Sequence, residues 1–148
     1  VDFAECVNVA APGLSAYVCE DWFKLYLSDV GLLSASYGML LKKQILDRTL
    51  KGSVKGGVYE NFLASVLKRK GFPLRYYRND SVEMEFMLET EDGVVPVECK
   101  AQTGRTISLD ALLKDESIPF GYKFTGGNVG ITGKKVTLPH YMAMFLSP

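Results

Sequence analysis

The chain has 148 residues, 47% of them apolar and 23% charged, with seventeen basic residues balancing seventeen acidic ones. This is an ordinary globular composition with enough apolar material for a core, and one domain is the default. Zero net charge excludes a globally basic nucleic-acid binder and leaves room only for a local patch.

The three cysteines, Cys6, Cys19 and Cys99, are odd in number and widely spaced, and no CxxC pair occurs. A disulfide framework or a zinc site is not expected, and a reducing cytoplasm fits best. There is no apolar run long enough to span a membrane and no stretch with the pattern of a signal peptide. The chain opens at Val1 without a methionine, so a piece of a longer protein is expected.

Residues 1–21 show no clear period, and "AAPG" at 11–14 reads as a turn. "WFKLYL" (22–27) alternates and predicts a short strand, with Trp22 expected in the core. Ser28 or Asp29 can cap a short helix through Val30–Leu33. "GMLLKKQILDRTL" (38–50) reads as a second helix. The clearest helix follows in "KGSVKGGVYENFLASVLKRKGFP". Val58, Tyr59, Phe62, Leu63, Val66 and Leu67 fall on one face. Lys68, Arg69 and Lys70 in the last turn suit its C-terminal dipole, and Gly71 supplies the stop, with Pro73 just beyond. Gly52, Gly56 and Gly57 resemble a phosphate loop only superficially, because the GK[ST] ending is missing.

"LRYYR" (74–78) predicts a strand. "VEMEFMLE" (82–89) alternates strictly, with Glu83, Glu85, Met87 and Glu89 on one face and Val82, Met84, Phe86 and Leu88 on the other. "TEDG" is turn chemistry and "VVPVECK" (94–100) the return strand. "SLDALLKDE" (108–116) reads as a short helix. "PFGYKFT" (119–125) and "KKVTLPHYMAMFL" (134–146) close the chain as a strand pair or a strand with a short helix. The order predicts an α/β or α+β domain around a mixed sheet, with residues 1–50 an N-terminal extension and 51–148 the core.

A two-residue turn on Asp92-Gly93 would set Glu85 opposite Lys100 and Met87 opposite Glu98, all on one face. A turn centred on Glu91-Asp92 would set Glu85 directly opposite Glu98 and keep that face. A three-residue loop would split them. The opposite face, with Val95, Val97 and Cys99, is then the core face, and Cys99 a small buried apolar residue. Glu60, at the edge of its helix's apolar arc, can reach over the sheet. Two carboxylates on neighbouring strands can hold Mg²⁺ or Mn²⁺, and Lys100 can orient water or stabilise negative charge. The plainer alternative is a solvent-face ion pair worth about 0.2–1 kcal/mol.

These stretches stand in an informative order. "FKLYLSDVGLL", "KGGVYENFLASVLKRKGFPLRYYRND", "VEMEFMLE", "VVPVECK" and the closing "LPHYMAMFL" together resemble a domain of unknown function at the C-terminal end of bacterial and archaeal AAA-type ATPases. The resemblance runs from about residue 20 to the end. It implies a restriction-endonuclease-like, PD-(D/E)-x-K fold: α/β, a mixed sheet flanked by helices. It also implies that Glu60 is the helix glutamate, Glu85 the strand acid, and Glu98 and Lys100 the E-x-K pair, with Glu85 and Glu98 as metal ligands. Glu85 departs from the usual aspartate by one methylene, a shift of about an ångström, and such misplacements can cost about 10²-fold in rate. The resemblance places the ATP-binding part upstream, so no ATPase activity is expected from these residues.

Three functions follow as expectations: a metal-dependent phosphodiesterase acting on DNA or RNA, an inactive binding or regulatory module of the ATPase, or a structural, oligomer-forming domain. A nucleic-acid surface can be drawn from Lys68, Arg69, Lys70, Arg75 and Arg78, interleaved with Tyr76 and Tyr77. The zero net charge favours instead a helix end followed by an exposed strand. His140 is expected to be packed or on the surface rather than a ligand.

Overall fold

The computed structural model describes residues 1–148 as nine strands, four α-helices and two 3₁₀ turns. The chain runs β1 (Asp2–Val7), a 3₁₀ turn (Leu14–Tyr17), β2 (Val18–Tyr26), α1 (Val30–Ser36), α2 (Met39–Leu46) and α3 (Gly52–Arg69). It continues with β3 (Arg75–Arg78), β4 (Glu83–Met84), β5 (Phe86–Thr90), β6 (Gly93–Cys99), α4 (Ile107–Leu112) and β7 (Gly121–Thr125). β8 (Gly130–Thr132), β9 (Lys135–Pro139) and a second 3₁₀ turn (His140–Phe145) close it. The expected mixed α/β character is observed, but in two sheets rather than one. They are ordered β2-β1-β3-β4 and β5-β6-β7-β9-β8, and both mix parallel and antiparallel pairs.

Asp29 caps α1 as expected, accepting from the Gly31 and Leu32 amides at 2.6 and 3.3 Å. α3 tolerates Gly56 and Gly57, each costing about 1 kcal/mol against alanine, because its later turns are anchored. Leu63, Ala64 and Leu67 are fully buried, and burying a leucine contributes about 1.5–3 kcal/mol. Gly71, at φ 93°, takes the left-handed position that stops the helix.

α3 packs on a core made by both sheets, from Ala4 and Tyr26 through Phe86, Val95 and Val97 to Phe124. A second cluster on the opposite side joins Val7, Tyr77, Met84, Met87, Val94 and Leu109 of α4. β6 is thus covered on both faces, and Glu98 lies inside with 3% of its surface exposed.

Three expectations are corrected here. β1 forms in a segment without visible period, because its pairing partners are distant β2 and β3. Trp22 is 54% exposed rather than core. β1 passes from the pair Glu5↔Phe23 to Cys6↔Cys19 at a register shift, so residues 20–22 bulge out and Trp22 has no opposite residue. The strand 82–89 is not continuous either. It breaks at Glu85, with β4 pairing β3 and β5 pairing β6. Alternation reverses across the break, so Met84 shares its cluster with Met87, while Phe86 and Leu88 face the other core.

Candidate active site: carboxylates at the end of strand six

The hairpin turns on Glu91-Asp92, not on Asp92-Gly93. Thr90 pairs with Gly93 and Phe86 with Val97. Gly93 adopts φ 126° as the first residue of β6. Thr90 Oγ1 bonds the Gly93 carbonyl oxygen at 3.1 Å and accepts from the Asp92 amide at 3.3 Å, which fixes this turn. The ladder stops at Phe86, and Glu85 sits at the break, one residue beyond it. In this register Glu85 heads toward Glu98, as the second of the two even-register turns requires.

Glu98 and Lys100 are not a solvent-face pair. Lys100 Nζ lies 2.6 Å from Glu98 Oε1, and the Glu98 side chain is nearly fully buried. Glu98 Oε2 is buried without any hydrogen-bond partner. An orphaned carboxylate oxygen of this kind calls for a partner, such as a cation or a water. Burial works against the Lys100 ammonium, but the Glu98 hydrogen bond and charge outweigh it and hold the pKa above the ordinary lysine value. Burial drives the Glu85 carboxyl up to about 7. Its own backbone amide and Lys100 oppose that rise, while the charges of Glu98 and Glu60 add to it. Cys99, packed against the main core, is pushed well above the usual thiol range by burial, then by Glu85 and Glu60.

Glu60 does reach over a sheet, to β2. Tyr26 Oη donates to Glu60 Oε1 at 2.5 Å, and Lys24 Nζ lies 3.3 Å from the same oxygen. Lys24 also reaches Glu83 Oε1 at 2.9 Å. Burial, reinforced by the Glu60 charge, carries the Tyr26 phenol far above its ordinary pKa. Lys24, Tyr26 and Glu83 were not singled out from the sequence as site residues. The signal available was the two-residue spacing of Lys24 and Tyr26, which puts both on one face of a strand. Nothing local says which helix that face meets. The carboxylates are neighbours, but no three His, Cys, Asp or Glu side chains converge on one ion position.

The basic segment is dispersed. Lys68, Arg69 and Lys70 are exposed at the end of α3. Arg75 is tied to Glu5 at 3.3 Å, and Arg78 lies 4.3 Å over the Trp22 ring. Tyr76 and Tyr77 are buried, at 2% and 7% exposure, in opposite cores. They cannot serve as base-stacking platforms, so that part of the expected surface is corrected.

A cleft of about 890 Å³ opens beside the carboxylates, at the C-terminal ends of the parallel strands β6, β7 and β9. α3 serves both places, with Glu60 toward the carboxylates and Tyr59 on the cleft wall. His140 also lines the cleft. Its ring packs on Tyr59 at 4.3 Å between centroids, and its Nε2 is 2.7 Å from the Lys100 carbonyl oxygen. Burial lowers the His140 pKa, against the raising effect of that hydrogen bond. The neutral ring therefore donates through Nε2, leaving Nδ1 as an acceptor.

Fold and site define a mixed α/β domain with a desolvated carboxylate–lysine pair at the end of an internal strand. Residues 55–139 match the family described as Domain of unknown function (DUF4143), and the chain belongs to that family. No curated protein and no solved structure gives a significant match to the chain. No helix is long and apolar enough to cross a membrane.

Proposed function

We propose that this is a nuclease-like domain of the restriction-endonuclease-like class, acting as a Mg²⁺- or Mn²⁺-dependent phosphodiesterase on nucleic acid and working as the C-terminal part of an AAA-type ATPase. The observation that carries the reading is the buried, partnerless Glu98 Oε2, beside Lys100 and near the desolvated Glu85. Such an oxygen suits a hard divalent cation, and Mg²⁺ needs only one or two protein carboxylates beside water and phosphate. Glu98 and Glu85 would hold the ion. When bound, it supplies Lewis-acid polarisation of a phosphoryl group and a lowered pKa for water. Lys100 holds a positive charge at the same strand end, where it stabilises charge developing on phosphate oxygens. Glu60, anchored by Tyr26 and Lys24, adds a small negative contribution to a Glu85 carboxyl that burial, and then the Glu98 charge, hold well above the ordinary carboxylate range. The ATPase attachment rests on the resemblance of the ordered motifs, and a GxxxxGK[ST] sequence upstream of this chain would support it.

The test is calorimetric titration of Mn²⁺, with and without a DNA or RNA duplex, into the parent and Glu98→Ala. One saturable site in the parent and none in the variant is expected, followed by cleavage that Glu98→Ala and Lys100→Ala abolish. Absence of binding in the parent under both conditions overturns the reading.

A second reading, an inactive nucleic-acid- or protein-binding module, is favoured by one observation. Lys100 and Lys24 already neutralise Glu98 and Glu60, and no three-ligand group is present. On that reading Glu98→Ala leaves nucleic-acid binding intact, while charge reversal at Lys70 or Arg78 weakens it and flattens its salt dependence.

A further inference from the structure

We propose that the cleft at the C-terminal ends of β6, β7 and β9 binds a small phosphorylated compound carrying a planar ring, of nucleoside-monophosphate size. The site is separate from the carboxylates and does not depend on metal.

Four observations lead there. The position is where open α/β sheets bind ligands, in the crevice beyond the carboxyl ends of parallel strands, and about 890 Å³ is a ligand-sized volume. The charge is one-sided: Arg48 and Lys55 line the cleft, and no acidic residue does. Neither cation makes an ion pair within the chain. Arg48 holds φ 58°, a left-handed conformation uncommon outside glycine, at this rim.

The third observation concerns backbone donors. Two loops, one after β6 and one after β7, are drawn together where Thr125 Oγ1 donates to the Gln102 carbonyl at 2.8 Å. A Cβ on Gly126 would stand 3.4 Å from the Ala101 carbonyl oxygen, so glycine permits this approach. The amide N–H groups of Gln102, Gly126, Gly127 and Asn128 make no hydrogen bond within the chain. Clustered free amides beside two cations are an anion-binding arrangement. They differ from a phosphate loop, which this sequence lacks.

The fourth is the wall. Tyr59, Phe62 and Tyr141 line the cleft with the His140 ring. Flat aromatic surface suits a planar ring, and the neutral His140 Nδ1 can accept from an exocyclic amine or a hydroxyl. Phosphate at the amides and ring on the aromatics together describe a nucleotide unit. It can come as a free nucleotide or as the terminal nucleotide of a strand.

The test is calorimetric titration of AMP, UMP, adenosine and inorganic phosphate into the whole chain, beside Lys55→Glu, Arg48→Glu and Glu98→Gln. Near-ultraviolet circular dichroism confirms that each variant is folded. Saturable AMP or UMP binding is expected at about 1 µM to 1 mM, with adenosine and phosphate each weaker. Losing one charge-assisted contact should weaken binding about tenfold or more in Lys55→Glu or Arg48→Glu. Glu98→Gln should bind as the parent does. A short 5′-phosphorylated oligonucleotide that binds more tightly than AMP assigns the ligand to a strand end, and equal affinity assigns a free nucleotide. Either result supports the site. No saturable binding of any nucleotide overturns the proposal. So does binding unchanged in both folded charge variants, or binding abolished by Glu98→Gln. Because Mn²⁺ is absent from these titrations, failure of the metal site and failure of the cleft are read separately.

Discussion

The acidic cluster at the end of β6 and the basic segment at 68–78 look equally suggestive as sequence, and the fold treats them oppositely. The acids lie far apart in the chain and are brought together. The bases are contiguous and are separated. Glu60, Glu85, Glu98 and Lys100 feel one another's charge across α3, the β4–β5 break and β6. Within 68–78, a helix end, a left-handed glycine and a strand send successive residues in different directions. Tyr76 goes to one core and Tyr77 to the other, and Arg75 and Arg78 find separate partners. Proximity in sequence makes a patch only when the backbone keeps the side chains on one side, and a strand alternates them.

Variants can break or sharpen this contrast. The largest effect is expected at Tyr76. Tyr76→Ala should lose about 3–5 kcal/mol, as for a large aromatic removed from a core, whereas a surface stacking residue would lose almost nothing. Urea unfolding measures the difference, and Tyr76→Phe should retain most of the stability.

Next comes the buried ion pair. Lys100→Met should cost about 3 kcal/mol, because removing one partner strands a buried charge. Adding Glu98→Gln should recover much of the loss, and a double-mutant cycle reports the coupling. Additive losses would show that the two residues do not act as a pair.

The third is pH dependence at Glu85, which faces Glu98, Lys100, Glu60 and Cys99. Its folded pKa is raised, so the fold favours the neutral carboxyl. That contribution is fully present below about 4.5 and is lost as pH rises through about 7. Glu85→Gln should therefore be more stable than the parent at pH 8, by up to about 3 kcal/mol, and nearly equal to it at pH 4. Equal stability at both values would show that Glu85 is not desolvated.

The smallest effect is expected on the basic side. Arg78→Ala removes an exposed cation–π contact with Trp22 and should cost below about 1 kcal/mol, read as a small shift in the urea midpoint. A larger loss would mean that the Trp22 bulge is held by Arg78.

Much of the local structure was legible. Asp29 as cap, Gly71 as stop and the apolar spacing of α3 are short-range signals, set by hydrogen-bond stereochemistry and helical period. The E-x-K spacing was also legible, because it lies within one strand. The turn register was not, since Thr90 and Gly93 fit the observed turn while Asp92-Gly93 suggests another. The break at Glu85 was hidden because an unbroken alternating strand reads the same as two strands entering different sheets. The cleft was invisible, as its walls come from six separate stretches of chain.

By itself, then, the sequence determined the cap at Asp29, the course of α3 with its stop at Gly71, and which side chains can carry charge or bind a metal. Those properties depend on a residue and its near neighbours. Only the tertiary structure decided that Glu98 is desolvated, that Tyr26 and Lys24 hold Glu60, and that Arg48 and Lys55 line one cleft with the loops after β6 and β7. Burial, dielectric and the meeting of distant strands arise from packing the whole chain.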